Sequence, residues 1–533
     1  MIIKYNRAIT YLLLFSLCLS ASALDEPLQV HAHAKQLRID LSWKSEGEFL
    51  YQVRRSSTPN GEFKVMPYCT TIPVFSDFIG EEGKSYYYQV RKGKEQNKKF
   101  VASSKWSKTV SATSLKLNEK TLSYEFQEAA TRYFSHGSHP QSGLAREWLN
   151  TRWTEGQNWS EFSPAATGAT GMGLANLVVA VERGYLERKV AVKLVLKALR
   201  FLDTKAERFH GAFSHWIDNK NGKTIPFSKF DDGGDLPETA LLMQGVIIAR
   251  EYFKKNIQEE KEIRDIANRL WREVNWNWYR KDGGDQLMWH WSPKHGWKVN
   301  LPVIGFCEAE IAYILAIASP THPVPASTYF KGWRSGWYGS DRTKMGVNLK
   351  LGQGLGGCTF WCYYSYIGLD PKSINFKGQS MQKHFEDLCN VQIKYMRSLA
   401  QKYKGYDKMW GLTASAGPDG YRGHKPGPED NGTIGSTAAV SAYLYAPKES
   451  MKSLKTMYLE YGKQLWQEVG PCHAFNPERK WFYSSHLGID TGTIAPMIEN
   501  YRSGLLWKLF MNAPEIKNAL NKLEQTQKGI LNQ

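Results

Sequence analysis

The sequence predicts a mainly α-helical chain that carries a small all-β sandwich at its N-terminal side. Two periodicities point there: a stretch of alternating strands comes first, and ten segments with apolar residues at three- and four-residue steps follow it. At 533 residues, with 42% hydrophobic and 23% charged positions, the chain is long and apolar enough to bury a large core. Helices outnumber strands and show neither heptads nor a short repeat, so they are expected to wind as hairpins about one axis. The compact form of that arrangement is an α/α toroid.

Residues 1–24 read as a secretory signal. Lys4 and Arg7 precede the apolar run AITYLLLFSLCLS, and the small residues Ala21, Ser22 and Ala23 follow it. Export to the periplasm or the medium is therefore expected. A lipid anchor on Cys18 is disfavoured because Leu17 suits a lipidation site poorly. No integral membrane segment is expected after cleavage.

Residues 25–115 alternate in LRIDLSW and YYYQVRKG, with turn signals at Pro59-Asn60-Gly61 and Glu82-Gly83. This order of strands resembles a fibronectin type III sandwich, with Trp43 and Tyr88 as core residues. Such a module would space or dock a catalytic domain. Residues 116–533 form the helical domain, with helical periods in 119–135, 166–183, 187–202, 236–254, 259–274, 306–318, 380–400, 434–446, 448–461 and 492–511.

The formal net charge of +18 would suit an anionic partner. However, Lys and Arg are scattered, so a basic exported protein is the reading and nucleic acid is not an expected partner. Beyond the leader, Cys69, Cys307, Cys358, Cys362, Cys389 and Cys472 are too sparse for a disulfide scaffold and read mostly as buried thiols; Cys358 and Cys362 are near enough to pair. His136 and His139 lack a surrounding ligand set, so neither a metal nor another cofactor is called for. The glycine-rich run 352–357 follows no strand of a βαβ unit and reads as a loop. A monomer is expected.

Nineteen tryptophans and 28 tyrosines are a heavy aromatic load. Many interleave with polar residues in loops, as in Trp289-His290-Trp291-Ser292-Pro293, which suits sugar rings with apolar faces and polar rims better than it suits a core. His290, Trp291 and Trp410 are the expected stacking or hydroxyl contacts. Asp419, Tyr421 and Arg422 in GPDGYR could fix further hydroxyls, although a turn held by a salt bridge explains them equally well.

The stretch DDGGDLPETALLMQG contains a capping box, Asp235 with Glu238, and Pro237 is tolerated in the first turn. Capping leaves Asp231 and Asp232 unexplained. Crowded carboxylates push their pKa values apart, as acid and base work requires. A second cluster, GFCEAEIAYILA, places Glu308 and Glu310 at a helix start. Two residues apart, they do not share a face, so one is expected to look into a cleft and the other away. Glycoside hydrolysis needs one carboxylic acid to protonate the leaving oxygen and a second carboxylate to activate water or attack the sugar.

The runs GGDLPETALLMQG, WNWYRKDGGDQLMWHWSPKHGW, SPTHPVPAS, WGLTASAGPDGY, NGTIGSTAA and GIDTGTIAPMIENYRSGLLW occur in order across residues 120–515. In these the chain resembles the glucoamylase-like family of bacterial (α/α)6 glycoside hydrolases, whose characterised branch includes β-1,2-glucanases. The resemblance implies a six-hairpin toroid and, in that branch, an inverting mechanism. It favours Glu308 over Glu310 as the essential acid. It also places Asp235 and Glu238 among the functional carboxylates, with Asp231 nearby, and sets Asp490 in the same cleft. Four positions depart from the family pattern: Tyr363 stands where histidine is common, Thr491 for glutamine, Ala416 for aspartate and Cys307 for asparagine.

The expected protein is thus an exported hydrolase of a β-glucan, most simply β-1,2-linked. Glu308 would act as general acid, Asp235 or Glu238 as base or water-positioning group, and Asp231 as electrostatic support. Tyr363 joins the residues named above as a substrate contact. A polysaccharide lyase would need cations facing uronates in place of the acid loop. A glycan-binding protein without turnover would keep the cleft, and the departures at Tyr363 and Thr491 fit it.

Overall fold

The computed structural model describes residues 25–44, 47–157 and 163–531; the leader, with Cys18, lies outside them. Among the described residues no helix is long and apolar enough to cross a membrane.

The first eight strands are β1 (Val30–Lys35), β2 (Arg38–Trp43), β3 (Leu50–Ser56), β4 (Lys64–Thr70), β5 (Val74–Phe78), β6 (Ser85–Gln96), β7 (Lys99–Ala102) and β8 (Val110–Thr113). They form a three-stranded sheet, β1-β2-β5, and a larger one, β4-β3-β6, in which β7 and β8 both pair with β6. Ile39, Leu41, Phe75 and Trp43 from one sheet meet Tyr51, Val53, Tyr88 and Val90 from the other. The alternation read from the sequence therefore places one face of each strand inward. The larger sheet gains a further strand from the helical region, since Arg152–Trp153 pairs with Thr70 and Cys69.

Among the described residues twelve helices follow: α1 (Leu122–His136), α2 (Thr167–Glu182), α3 (Arg188–Thr204), α4 (Leu236–Tyr252), α5 (Gln258–Glu273), α6 (Glu310–Ala318), α7 (Met381–Ser398), α8 (Ala438–Ser441), α9 (Pro447–Leu465), α10 (Gly488–Ser503), α11 (Leu505–Met511) and α12 (Pro514–Leu531). Two kinds of helix alternate. α2, α4, α6 and α10 are buried on every side, whereas α3 and α5 bury one stripe, such as Ile263, Ile266, Ala267, Leu270 and Trp271. α2 packs on α4, α4 on α6, and α10 returns to α2, while α1, α3 and α5 lie against this inner group.

Two helical expectations need correction. Segment 434–446 is helical only at α8, because Ile434–Gly435 pairs with Ala474–Phe475 as a strand and Pro447 drives Ala446 out of the helical region. Segment 492–511 breaks into α10 and α11 at Gly504, whose φ of 65° suits glycine and ends the helix. All six cysteines beyond the leader are free thiols, and all but Cys307 are buried.

The site is positioned by a repeated local device. Two-residue antiparallel bridges sit immediately before inner helices: Ala165–Ala166 pairs with Trp216–Ile217 ahead of α2, Gly234–Asp235 with His290–Trp291 ahead of α4, and His486–Leu487 with Trp148–Leu149 ahead of α10. Each bridge fixes a helix N-terminus to a loop distant in sequence.

Candidate active site

The carboxylates gather where these inner helices begin, at the ends whose unpaired N–H groups and dipole favour anions. Asp235 caps α4: one carboxylate oxygen accepts from the Glu238 N–H at 2.9 Å, and the other lies 3.1 Å from His215 Nδ1. Glu238 reaches across to α2 and accepts from the Gly168 N–H at 2.7 Å. Only half of the expected capping box forms: Asp235 caps α4, whereas Glu238 does not reach back to it and ties α4 to α2 instead.

The loop ahead of α4 does not leave four carboxylates crowded together. Asp232 is engaged by the Ser292 hydroxyl at 2.5 Å and by Lys294, which hold it below its ordinary range against the effect of burial. Asp231 lies 3.2 Å from His290 Nε2. Burial, followed by repulsion from Asp235, pushes its carboxyl up to about 6. His215 is raised to about 10: burial opposes its charge, but Glu238 and Asp235 outweigh it.

Glu308 and Glu310 point apart, as their spacing requires. Glu310 opens α6 and is held from behind by the hydroxyls of Tyr329 and Tyr366. Glu308 stays half-buried on the cleft side, where burial first and Asp235 next push its carboxyl up to about 7. The Cys307 thiol and Trp361 oppose that rise. A carboxyl that keeps about half its proton at neutral pH thus lies within electrostatic reach of Asp235.

Asp490, at the start of α10, is 1% exposed and has both oxygens engaged, by the Tyr364 hydroxyl and by His473 Nε2 at 2.6 Å. Tyr363 and Thr491 are buried near it, and their hydroxyls lack hydrogen-bond partners. Tyr421 is 57% exposed, and its phenol lies within electrostatic reach of Asp490, Glu147 and Glu308. Its loop is pinned by Asp419, which pairs with Arg479 at 2.7 Å; Arg422 is exposed on the same turn and pairs through its backbone with Ser415.

Two expected sugar contacts sit elsewhere. Trp410 is 1% exposed, packed in the core, and offers no face to a sugar. His290 is equally buried and instead braces Asp231 and the Gly233 N–H. Trp291 is half-buried, edge-on to His210 and Trp278. Glu147, His215, His473 and Tyr364 carry no signal in the sequence, because they come from unrelated loops without a shared motif. A cavity of about 620 Å³ opens between sandwich and helices and shares Trp148 with this region; Trp148 touches His473 edge-on at 5.5 Å.

Acids gathered at helix starts, one with its proton held to near neutral pH, beside partly exposed aromatic rings, meet what a glycoside hydrolase requires, and the relatives place the protein in that class. The chain belongs to the glucoamylase-like family. A family model described as "Putative glucoamylase" matches residues 300–514. An exo-β-1,2-glucooligosaccharide sophorohydrolase (non-reducing end) of Parabacteroides distasonis is 36% identical over 530 residues, covering 95% of this chain and 72% of the relative. The crystal structure of a β-1,2-glucanase from Parabacteroides distasonis superposes with a TM-score of 0.85 at 36% identity, over 95% of this chain and 74% of that one. An endo-β-1,2-glucanase from Chitinophaga pinensis, in complex with sophorotriose and glucose, gives 0.73 at 38% identity, over 76% of this chain and 98% of that one.

Proposed function

We propose that the protein is an exported hydrolase of β-1,2-glucan or its oligosaccharides, built as a sandwich over residues 25–115 and a six-hairpin (α/α)6 toroid over 116–533. The observation that carries this reading is Glu308, half-buried just ahead of α6, raised to about 7 and within electrostatic reach of Asp235 at the start of α4. Glu308 protonates the leaving glycosidic oxygen. Asp235 has both oxygens committed within the protein and positions His215, while Glu238 keeps one oxygen clear of its bond to Gly168 and serves as base or water-positioning group. Asp231 supplies negative charge beside them. Tyr421 lines the glycan path, with Trp291, Asp419 and Arg422 at its margins, while Tyr363 and Asp490, both buried, sit behind it and brace it. Inversion follows the family branch.

The relatives named above act on β-1,2-linked glucose, which supports the same linkage here. A cluster so rich in carboxylates would repel uronates, which disfavours a lyase. Incubation with linkage-defined glucans and sizing of the products tests the reading. Short β-1,2-linked products are expected, together with a loss of about 10²–10⁴-fold in turnover for a folded Glu308→Gln protein. Wild-type turnover in that variant, or products from another linkage alone, would reject it.

A further inference from the structure

We infer that Glu147, Trp216 and Phe227 form a glucosyl-binding subsite beside the acid cluster. The inference rests on the hydrolase reading and adds to it a place for a sugar ring.

Glu147 differs from its neighbours in how little of its carboxylate is engaged. Asp235 and Asp490 each have both oxygens engaged, Glu238 is tied to Gly168, and Asp232 to Ser292. The Glu147 carboxylate has only the Trp216 indole directed toward it. Its backbone, by contrast, is fixed: the N–H donates to Pro164 at 2.9 Å, and the carbonyl accepts from the Gly488 N–H at 2.8 Å and from the Tyr133 hydroxyl at 3.3 Å. Burial raises its carboxyl, while His215 and then the Trp216 indole favour the ion. The protein therefore holds the carboxylate rigidly in place with only the Trp216 indole turned toward it, which leaves most of its acceptor sites open to ligand hydroxyls.

Trp216 carries the complementary vacancy. Its indole N–H is buried and reaches no acceptor in hydrogen-bonding geometry, although it lies toward Glu147. A sugar hydroxyl both donates and accepts, so one hydroxyl could bond Glu147 and Trp216 together. Phe227 completes the set. It is 47% exposed, lies over His215 at 4.1 Å between ring centres and meets Trp216 edge-on at 4.9 Å. Beyond these two contacts it offers an apolar face for the C–H side of glucose.

The test is calorimetric titration of β-1,2-linked glucooligosaccharides into Glu308→Gln protein, alone and with Glu147→Gln or Phe227→Ala added. Glu147→Gln should weaken binding about tenfold, the scale of a hydrogen bond to a charged group. Phe227→Ala, at an exposed position where misfolding is not a concern, should weaken it about threefold to tenfold. In the otherwise wild-type enzyme KM should rise by the same factors with kcat within about threefold. Unchanged affinity in both double variants, with circular dichroism like the parent's, would overturn the subsite. So would a loss of kcat at constant KM in Glu147→Gln. Glu308→Gln protein that binds no β-1,2-linked oligosaccharide, from a wild type that releases no product, would instead reject the hydrolase reading, and the subsite with it.

Discussion

At the residue scale the chemistry depends on the proton of Glu308. Its folded pKa is about 7, above the ordinary carboxylate range because burial disfavours the anion and Asp235 repels it. The acid is present below that value and is lost as pH rises through it. A plot of kcat/KM against pH should therefore show a basic limb centred near 7, falling about tenfold per pH unit beyond it. Activity that stays flat to pH 9 would assign the proton to another group. Glu308 and Glu310 were separable in sequence only as a pair of opposite directions; the tyrosines that claim Glu310 lie 19 and 56 residues downstream. The same distance hides His215, His473 and Tyr364. Each is an ordinary side chain in an ordinary loop, and becomes part of the site only when a two-residue bridge or an inner helix brings it against Asp235 or Asp490. His290 misled for the opposite reason: its position in an aromatic-polar loop suggested a sugar contact, but pairing of Gly234–Asp235 with His290–Trp291 turns it inward.

At the scale of elements, the inner helices must approach closely enough for Glu238 of α4 to cap α2. Glycines make that approach. A Cβ at Gly245 would lie 1.9 Å from the Gly171 carbonyl oxygen, and one at Gly171 would lie 2.2 Å from the Leu241 carbonyl oxygen. Gly245→Ala must therefore push α2 and α4 apart, at a cost of about 1–3 kcal/mol from overpacking, and it pulls the Gly168 N–H from Glu238. Thermal unfolding should show a lowered midpoint and assays a reduced kcat. Gly529→Ala, on α12 with nothing near its Cβ, should leave both unchanged or raise stability slightly through helix propensity. A Gly245→Ala protein as stable and active as wild type would show that the helices can part without consequence. Helix existence was legible wherever a long apolar period ran uninterrupted, as in α2–α5. It failed at 434–446, where the apolar residues of Ile434–Gly435 serve a bridge and Pro447 restarts the chain, and periodicity does not distinguish those uses.

At the scale of the whole molecule the sandwich is bound into the helical region, beyond anything its strand pattern announced. Asp40 of β2 is 1% exposed and receives Arg38 at 3.0 Å, Arg132 of α1 at 2.7 Å and the Ser76 hydroxyl at 2.6 Å. Arg38, fully buried, extends to Glu125 of α1 at 2.7 Å and to the Tyr458 hydroxyl of α9 at 2.8 Å. The two arginines hold Asp40 far below the ordinary carboxylate range, although burial acts the other way. Its contribution is therefore complete above that range and is lost only as pH falls through the lower folded value, so the interface survives mild acid. Asp40→Ala leaves two arginines without their shared anion and should cost about 3–5 kcal/mol. Lys35→Ala breaks the partly exposed pair with Glu128, 2.5 Å long, and should cost less than about 1 kcal/mol. Because the network joins β2, α1 and α9, wild-type calorimetry should give one cooperative transition and Asp40→Ala should shift all of it downward. Two separate transitions, with only the smaller one moved by Asp40→Ala, would mean that the sandwich and the helices fold independently and that the buried ions merely bring them into contact.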